Sequence, residues 1–277
     1  MSSWAKPVNQ KLKIPEKLVI VHNNSGFFSC CSVRLDKIVQ FYNKYKQLPS
    51  LVDSSEQFMW YKPTGRETES ITADYFKESD STIKFTGQIQ YENWYQYLDY
   101  KTINFKRLSP FINKYFSPAN DIRTFVEILE AKYCIDYKNL GVLFYRGNDK
   151  VTETANAPYQ DYLDRARKIQ AENPNVRFLV QSDETEFIET MMSKLLYPTF
   201  FMGDEIRHIK KSINTVDKVW TRDENYKFSQ LYLAITIIMS KAKYIICGSG
   251  NCSIWICLYR GNTDGVQQFL KTAWTSA

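Results

Sequence analysis

The sequence predicts an α/β fold of two Rossmann-like lobes with a cleft between them. Short continuous apolar runs such as LGVLFY at 140–145 are typical of strands buried on both faces of a parallel sheet. Each run is followed by a stretch with helical hydrophobic periodicity, such as the one that Pro158 opens. This alternation of strand and helix favours a parallel sheet covered by helices on both sides.

The second half of the chain shows the alternation most clearly. Its predicted strands are 140–145, 176–180 (VRFLV) and 244–247 (YIIC). Its predicted helices, in chain order, are 158–173, 182–197, 228–241 and a last one that begins in the turn GSGNCS. A polar cap and acidic residues at the start of the 182–197 stretch support a helix there.

The first half repeats the pattern more weakly. Strands are predicted at 17–22 (KLVIVH) and 48–53 (LPSLVD), with an amphipathic helix over 30–46 between them. The polar, irregular segment 62–95 is predicted as long loops, and a further helix is predicted at 121–133. We therefore predict two lobes, residues 1–138 and 139–277.

Composition excludes several classes of protein. The formal charge of +6 is dispersed among 30 acidic residues, which does not predict a nucleic-acid interface. The longest apolar stretch, 231–239, is far shorter than the ~20 residues of a membrane span, and the first 17 residues lack the apolar core of a signal peptide. Six cysteines without a CxxC pair and only two histidines predict no metal site. A reduced, cytoplasmic protein is expected.

Candidate functional residues follow three predicted strands of the second half, at 146–153, 181–184 and 248–253. Ligands of open parallel sheets bind beyond the carboxyl ends of the strands, so these segments are expected to converge. The small residues of 248–253 let backbone N–H groups approach an anion at a helix N-terminus, although they also suit a plain tight turn.

Each charged residue in these segments has two interpretations. Arg146 can bind a diphosphate through two parallel hydrogen bonds, or it can lie in solvent. Asp149 and Lys150 form either a surface ion pair or a pair that shapes the loop beside a ligand, and Glu153 is either a general base or a loop carboxylate. Asp183 and Glu184 can accept hydrogen bonds from a nucleoside and also cap the following helix.

The stretch FYRGNDKVTETANAP resembles the His-x-Arg-x-x-Asp-Lys loop of the metal-independent fucosyltransferase-like superfamily. That superfamily contains α1,6-, nodulation and protein O-fucosyltransferases and has the GT-B fold. LVQSDE is similar to its strand ending in acidic residues, and CGSGNCSIW to its serine-rich turn. The three motifs occur in the family's order and span about residues 140–260.

The resemblance implies roles for individual residues. Arg146 falls on the arginine that binds the donor's β-phosphate, and Glu153 matches the catalytic glutamate if one loop residue is deleted. Lobe 1–138 would hold the acceptor and lobe 139–277 the nucleotide-sugar donor. The remaining residues of the implied donor site are Asp149, Lys150, Asp183, Glu184, Ser249, Gly250, Asn251 and Ser253.

Two positions depart from the family's pattern. Phe144 stands where the family has a guanine-binding histidine, and Gly147 where some members have a second arginine. GDP-fucose and UDP-xylose are therefore both candidate donors. A viral origin, for example a chlorovirus-encoded xylosyltransferase, is one interpretation of so compact a chain.

The sequence thus predicts an inverting, metal-independent glycosyltransferase that moves xylose from UDP-xylose, or fucose from GDP-fucose, to a glycan hydroxyl. It would use no cofactor besides the donor as co-substrate. The alternative is a non-catalytic carbohydrate- or nucleotide-binding protein of transferase descent; a dinucleotide-dependent oxidoreductase is disfavoured, because NSGFF and GSGNCS are poor dinucleotide loops. Asn24, Ser25 and Phe28 are candidate acceptor ligands by position, or simply shape a turn and pack in the core.

Overall fold

The computed structural model describes residues 17–79, 87–195 and 198–275, and its strands lie in two sheets. In the first half, strands β1 (Leu18–Ile20) and β2 (Leu51–Asp53) pair in parallel, and helix α1 (Phe27–Tyr45) connects them. The predicted strand–helix–strand unit is confirmed, although both strands are only three residues long.

The remainder of the first half is helical and irregular. Its helices are α2 (Thr72–Tyr75), α3 (Phe105–Tyr115) and α4 (Asn120–Lys132), with two 3-10 helices at Asn93–Tyr97 and Tyr100–Thr102. The helix predicted at 121–133 corresponds to α4. Helix α3, which contains a proline in its interior, was not predicted from the sequence. Residues 80–86 of the predicted loop segment lie outside the described residues.

The second half forms a six-stranded sheet. Its strands are β3 (Leu140–Tyr145), β4 (Arg177–Ser182), β5 (Thr199–Phe200), β6 (Tyr244–Gly248), β7 (Val266–Leu270) and β8 (Ala273–Trp274). They lie in the order β5-β4-β3-β6-β7-β8, and neighbouring strands are parallel except for the antiparallel β7–β8 pair. The chain moves outward in one direction from β3 and in the other from β6. A crevice is expected at the carboxyl ends of these two strands, where the order reverses.

Four helices connect the strands of this sheet: α5 (Tyr159–Glu172), α6 (Thr185–Lys194), α7 (Arg222–Ser240) and α8 (Asn251–Arg260). Helix α7 begins six residues before the predicted start, because Thr221 and Glu224 form a capping box at its N-terminus. Helix α6 ends at Lys194; the last two residues of the helix predicted there, 196 and 197, lie outside the described residues.

The core explains why β3 is an uninterrupted apolar run. Each of its six residues is buried, because β4 and β6 flank it and helices cover the sheet. Helices of the first half also pack on this core: α4 contacts α7, and α1 and α3 contact α8. The fully buried Trp255 of α8 stacks on Phe28 of α1 at 5.9 Å between ring centroids.

The lobe boundary near residue 138 stays a prediction. Among the described helices, none combines the length and the apolar character that crossing a membrane requires.

Candidate active site

A cavity of about 440 Å³ lies where the carboxyl ends of β3, β4 and β6 face the first half of the chain. The segments after these strands line it, together with one side of α7. From the first half, the N-terminus of α1, Trp60, Tyr61 and the 3-10 helix that contains Tyr97 complete the wall. Most of the residues that sequence motifs singled out are therefore in one place, at the reversal of the strand order.

Arg146 directly follows β3 and is held by acidic side chains. Its Nη2 donates to Asp149 Oδ1 at 3.0 Å, and its Nε lies 3.2 Å from Asp183 Oδ2. Burial opposes the charge, but Asp183, Cys252, Tyr232 and Asp149 together outweigh that effect and raise the pKa of Arg146 well above its ordinary value. The Arg146 side chain is 23% exposed and lines the cavity, so its guanidinium is a fixed cation there.

Hydrogen bonds to Asp183 fix the loop that follows Arg146. Asp183 accepts a hydrogen bond from the Gly147 N–H at 2.9 Å, and its carbonyl accepts one from Asn148 Nδ2 at 2.6 Å. Burial raises the pKa of Asp183, and the charge of Arg146 opposes the rise. Asp183 lines the cavity, but its carboxylate holds the arginine loop in this structure.

Lys150 and Glu153 form an ion pair at another part of the cavity. A short 3-10 helix, Asn148–Thr152, turns Lys150 inward so that its Nζ contacts Glu153 Oε2. The same oxygen accepts a hydrogen bond from Tyr97 Oη at 2.7 Å. Partial burial opposes the negative charge, but Lys150 and Tyr97 together lower the pKa of Glu153. Glu153 is therefore a carboxylate whose charge is already compensated in this structure.

The N-terminus of α8 contributes the third feature of the site. Gly250, Asn251 and Ser253 line the cavity, and the helix has neither a side-chain cap nor an acidic residue in its first turn. Gly250 has a φ of +154°, which favours glycine, and a Cβ there would lie 3.0 Å from Lys150 Cε. Free N–H groups and the helix dipole make such a terminus attractive to an anion. The N-terminus of α1 lines the same cavity, but there the Phe27 N–H already donates to Tyr61 Oη at 2.7 Å.

The first half of the chain fixes the geometry of this turn. Tyr100 Oη accepts from the Gly250 N–H and donates to its carbonyl, both at 3.1 Å. Asn251 Oδ1 accepts from Ser32 Oγ at 2.7 Å. The candidate phosphate-binding turn is therefore held between the two halves of the chain.

Two residues of the implied donor site do not line the cavity. The Ser249 hydroxyl donates to the Phe269 carbonyl at 2.8 Å and is buried between β6 and β7. Glu184 is fully buried, neither carboxylate oxygen has a hydrogen-bond partner among the described residues, and burial raises its pKa. It fills the space beside Gly147, where a Cβ would lie 2.0 Å from Glu184 Oε2. This packing leaves no room for the second arginine of the family's pattern.

The three candidate acceptor residues differ in position. Ser25 and Phe28 line the cavity, and Phe28 also packs in the core against Trp255. Asn24 is exposed outside the cavity wall, and its side chain accepts from the Met59 N–H at 3.3 Å. Binding of an acceptor by these residues stays a prediction.

Other lining residues were not identified from the sequence. They include Tyr97, Arg207, Asp217, Phe228 and Tyr232. Gln181 and Cys252 also line the cavity, and they lie in segments that carried a usable signal, because both segments were expected at the sheet edge. Arg207 and Asp217 gave no sequence signal, since they lie in an irregular connection that only tertiary contacts bring to the site.

Among the residues that the structure describes, no group of three or more His, Cys, Asp or Glu side chains could hold a metal ion.

The structure is similar to solved structures of the NodZ α-1,6-fucosyltransferase. The form co-crystallized with GDP has a TM-score of 0.57 at 9% identity, over 94% of this chain and 97% of that one. The form soaked with GDP-fucose has a TM-score of 0.54 at 8% identity, over 94% and 98%. The NodZ structure from Bradyrhizobium has a TM-score of 0.55 at 9% identity, over 92% and 96%.

No protein-family model matches the sequence, and no curated protein matches it. At this level of identity the similarity concerns the fold, and it gives no support to a viral xylosyltransferase. The predicted GT-B fold is confirmed: the chain is folded like these fucosyltransferases along nearly its whole length.

Proposed function

We propose that this protein is an inverting, metal-independent glycosyltransferase that uses a nucleoside diphosphate sugar. The donor would be GDP-fucose or UDP-xylose, and the acceptor a hydroxyl of a glycan. One observation carries the proposal: Arg146, Lys150 and the uncapped N-terminus of α8 converge on one cavity at the reversal of the strand order. Two fixed cations and a helix N-terminus suit a diphosphate.

In the proposed reaction Glu153 takes the proton of the acceptor hydroxyl. The oxygen forms a bond to the anomeric carbon while the bond from that carbon to the β-phosphate oxygen breaks, and the nucleoside diphosphate leaves with the electron pair. The charge that develops on the leaving group is stabilised by Arg146, Lys150 and the N–H groups of α8. One such preorganised donor is typically worth ~3–4 kcal/mol in the transition state.

The Lys150–Glu153 pair connects donor binding to the base. Lys150 lies against Gly250, so a diphosphate at the α8 N-terminus would compete with Glu153 for the ammonium group. A carboxylate that loses this partner binds a proton more readily, because its negative charge is less compensated. Glu153 would thus become a better base when the donor is bound.

The test is release of nucleoside diphosphate from GDP-fucose and UDP-xylose, with water or a glycan as acceptor. We expect release from one of the two donors by the wild type. Glu153→Gln should still bind that donor but lose at least ~100-fold in rate, since general base catalysis contributes 10²–10⁴-fold. A protein that binds the donors and releases nothing from either is the binding protein of the alternative hypothesis. Loss of donor binding in Glu153→Gln would make Glu153 a binding residue.

A further inference from the structure

A second cavity, of about 620 Å³, lies beside α7, and none of the described residues lines both it and the candidate active site. Tyr226 and Gln230 of α7 line it, and they lie one helical turn apart on one face of that helix. Residues of α1, α3, the segment 72–78 and the N-terminus of α4 complete its wall. The proposed reaction uses none of these residues.

The wall of this second cavity contains a buried arginine with an unused donor. Arg34 of α1 is 2% exposed. Its Nη1 donates to Ser54 Oγ at 3.1 Å, and its Nη2 donates to Glu78 Oε1 at 3.2 Å. The Arg34 Nε is buried and has no hydrogen-bond partner among the described residues. An unpaired donor on a buried cation costs free energy, which a bound acceptor would recover.

The unused Nε lies on the same edge of the guanidinium as Nη2. That edge can bind both oxygens of one carboxylate through two parallel hydrogen bonds. Glu78 occupies only Nη2, and its side chain is 52% exposed. Because an ion pair with an exposed carboxylate contributes little stability, a ligand carboxylate that binds both donors can replace Glu78.

A tyrosine hydroxyl near this edge is also unpaired. Tyr115 of α3 lines the cavity, and its hydroxyl is buried without a hydrogen-bond partner in the described part of the chain. Burial and the charge of Glu78 raise the pKa of Tyr115, and the charge of Arg34 opposes the rise, so the hydroxyl lies close to both charges. Arg34 and Tyr115 together therefore offer two unpaired donors beside the one that Glu78 occupies.

The other charges of the cavity are largely balanced. Asp74 accepts from Arg66 Nη1 at 2.7 Å and from the Tyr226 hydroxyl at 3.0 Å, so its charge is compensated. Lys77 and Asp121 line the cavity, are exposed and have opposite charges. A ligand that displaces the glutamate would thus meet one net positive charge, that of the buried guanidinium, which suits a monoanion.

The uncharged part of the wall suits a ligand with hydroxyl groups. Thr72, Asn120 and Gln230 contribute one hydroxyl group and two amide groups, which both donate and accept hydrogen bonds. The volume of about 620 Å³ lies in the range of sites for small molecules, and it exceeds what a carboxylate alone would fill.

We propose that this second cavity binds a small hydroxylated carboxylic acid, of which a uronic acid is an example. The ligand carboxylate accepts hydrogen bonds from Nε and Nη2 of Arg34 and from the Tyr115 hydroxyl, and it displaces Glu78 into solvent. The hydroxyl groups of the ligand bind the amide and hydroxyl side chains of the wall. The site is separate from the candidate active site, so it stands or falls independently of the proposed function.

Calorimetric titration with glucuronate, glucose and glucose 6-phosphate tests the chemical class of the ligand. The three compounds share a hydroxylated ring and differ in the group at C6. The wild type should bind glucuronate at least ~10-fold more tightly than glucose, as expected from hydrogen bonds between a carboxylate and a guanidinium. Glucose 6-phosphate should bind more weakly than glucuronate, because it brings up to two negative charges to one net positive charge.

Variants of the arginine and its partner test the location of the site. Glu78→Gln removes the competing charge and should strengthen glucuronate binding by ~5-fold. Arg34→Lys keeps the charge but loses the paired donors, and it should weaken binding by ~10–100-fold. Glu127→Gln, at an exposed position of α4 outside the cavity wall, is the matched control for Glu78→Gln and should leave the affinity unchanged.

Each outcome decides the proposal. Stronger binding in Glu78→Gln together with weaker binding in Arg34→Lys supports it. An affinity that neither variant changes overturns it, because glucuronate is then bound elsewhere. No binding of glucuronate by either the wild type or Glu78→Gln overturns it, as does equal or tighter binding of glucose or glucose 6-phosphate. If Arg34→Lys does not fold, Tyr115→Phe replaces it: loss of one donor should weaken glucuronate binding by ~5-fold, and an unchanged affinity overturns the proposal.

Discussion

Tyr97→Phe removes one atom from the site and tests the role of Glu153. The Tyr97 hydroxyl donates to Glu153 Oε2 at 2.7 Å, while its ring lies 5.2 Å from Lys150 Nζ. Burial and the neighbouring carboxylate raise the pKa of Tyr97 well above its ordinary value, so the hydroxyl is a neutral donor at every working pH. Phenylalanine keeps the ring beside Lys150 and removes only the hydrogen bond.

The expected effect follows from that hydrogen bond. A bond to a charged acceptor is worth ~1.5–3 kcal/mol when water is excluded. The Glu153 side chain is 43% exposed, so water replaces part of the interaction and ~1 kcal/mol is a fair value. A difference of ~1 kcal/mol is ~5-fold in an equilibrium constant, here that for protonation of the Glu153 carboxylate. The hydroxyl stabilises the carboxylate form, so its removal raises the pKa of Glu153.

The pH dependence of kcat/KM for nucleoside diphosphate release is the assay. A general base works as the carboxylate and is lost as the pH falls through its pKa. The acidic limb of the profile should therefore move to higher pH in Tyr97→Phe. Tyr95→Phe, in the same 3-10 helix but outside the cavity wall, is the control and should leave the limb in place. A limb that stays fixed or moves to lower pH in Tyr97→Phe would refute the assignment of Glu153 as the base.

Two further predictions concern stability. Gly147→Ala should lower the free energy of unfolding by ~1–3 kcal/mol, because the added methyl group overlaps the buried Glu184 carboxylate. Gly248→Ala is its control, with only the Tyr162 hydroxyl within contact distance, at 3.8 Å; chemical denaturation that finds the two variants equal would contradict this packing. Thr221→Ala should cost ~1 kcal/mol, measured in the same way, because it removes half of the capping box of α7; an unchanged midpoint would mean that the cap contributes no stability.

Local sequence signals sufficed to predict much of the second half. The strand β3 was predicted with its observed bounds, because a strand buried on both faces must be apolar throughout. Pro158 marked the start of α5 for an equally local reason: its missing N–H is not needed before the first turn of a helix. The α/β class follows from such signals alone.

Other elements depend on tertiary contacts that a sequence does not display. Strand β8 has only two residues and pairs with β7 through a tight reversal, and neither strand was predicted. The true start of α7 is polar, so hydrophobic periodicity placed it at Phe228, although Thr221 and Glu224 in the capping-box spacing were legible. The same holds for the first half, where a mostly irregular segment follows the two short strands.

The site was predictable where its residues follow strands of the sheet. Arg146 and the turn at 250–253 lie in the cavity because parallel strands end at one edge. The direction in which a side chain points within such a segment was not predictable. Glu184 and Ser249 are adjacent to lining residues but are turned into the protein interior. The parts of the cavity wall that contain Arg207 and Tyr97 come from irregular connections, whose positions are fixed by packing.

Calorimetric titration of Arg146→Ala tests whether Arg146 binds the diphosphate of a nucleotide sugar. GDP and UDP are titrated into the wild type, Arg146→Ala and Arg146→Lys, with folding of each variant checked by circular dichroism. Lysine keeps a charge beside Asp183 and loses the bidentate fork. We predict that the affinity of the preferred nucleotide falls by ~100-fold in the folded alanine variant and less in the lysine variant, as loss of ~3 kcal/mol implies. Equal affinity in the wild type and a folded Arg146→Ala would mean that Arg146 does not bind the diphosphate.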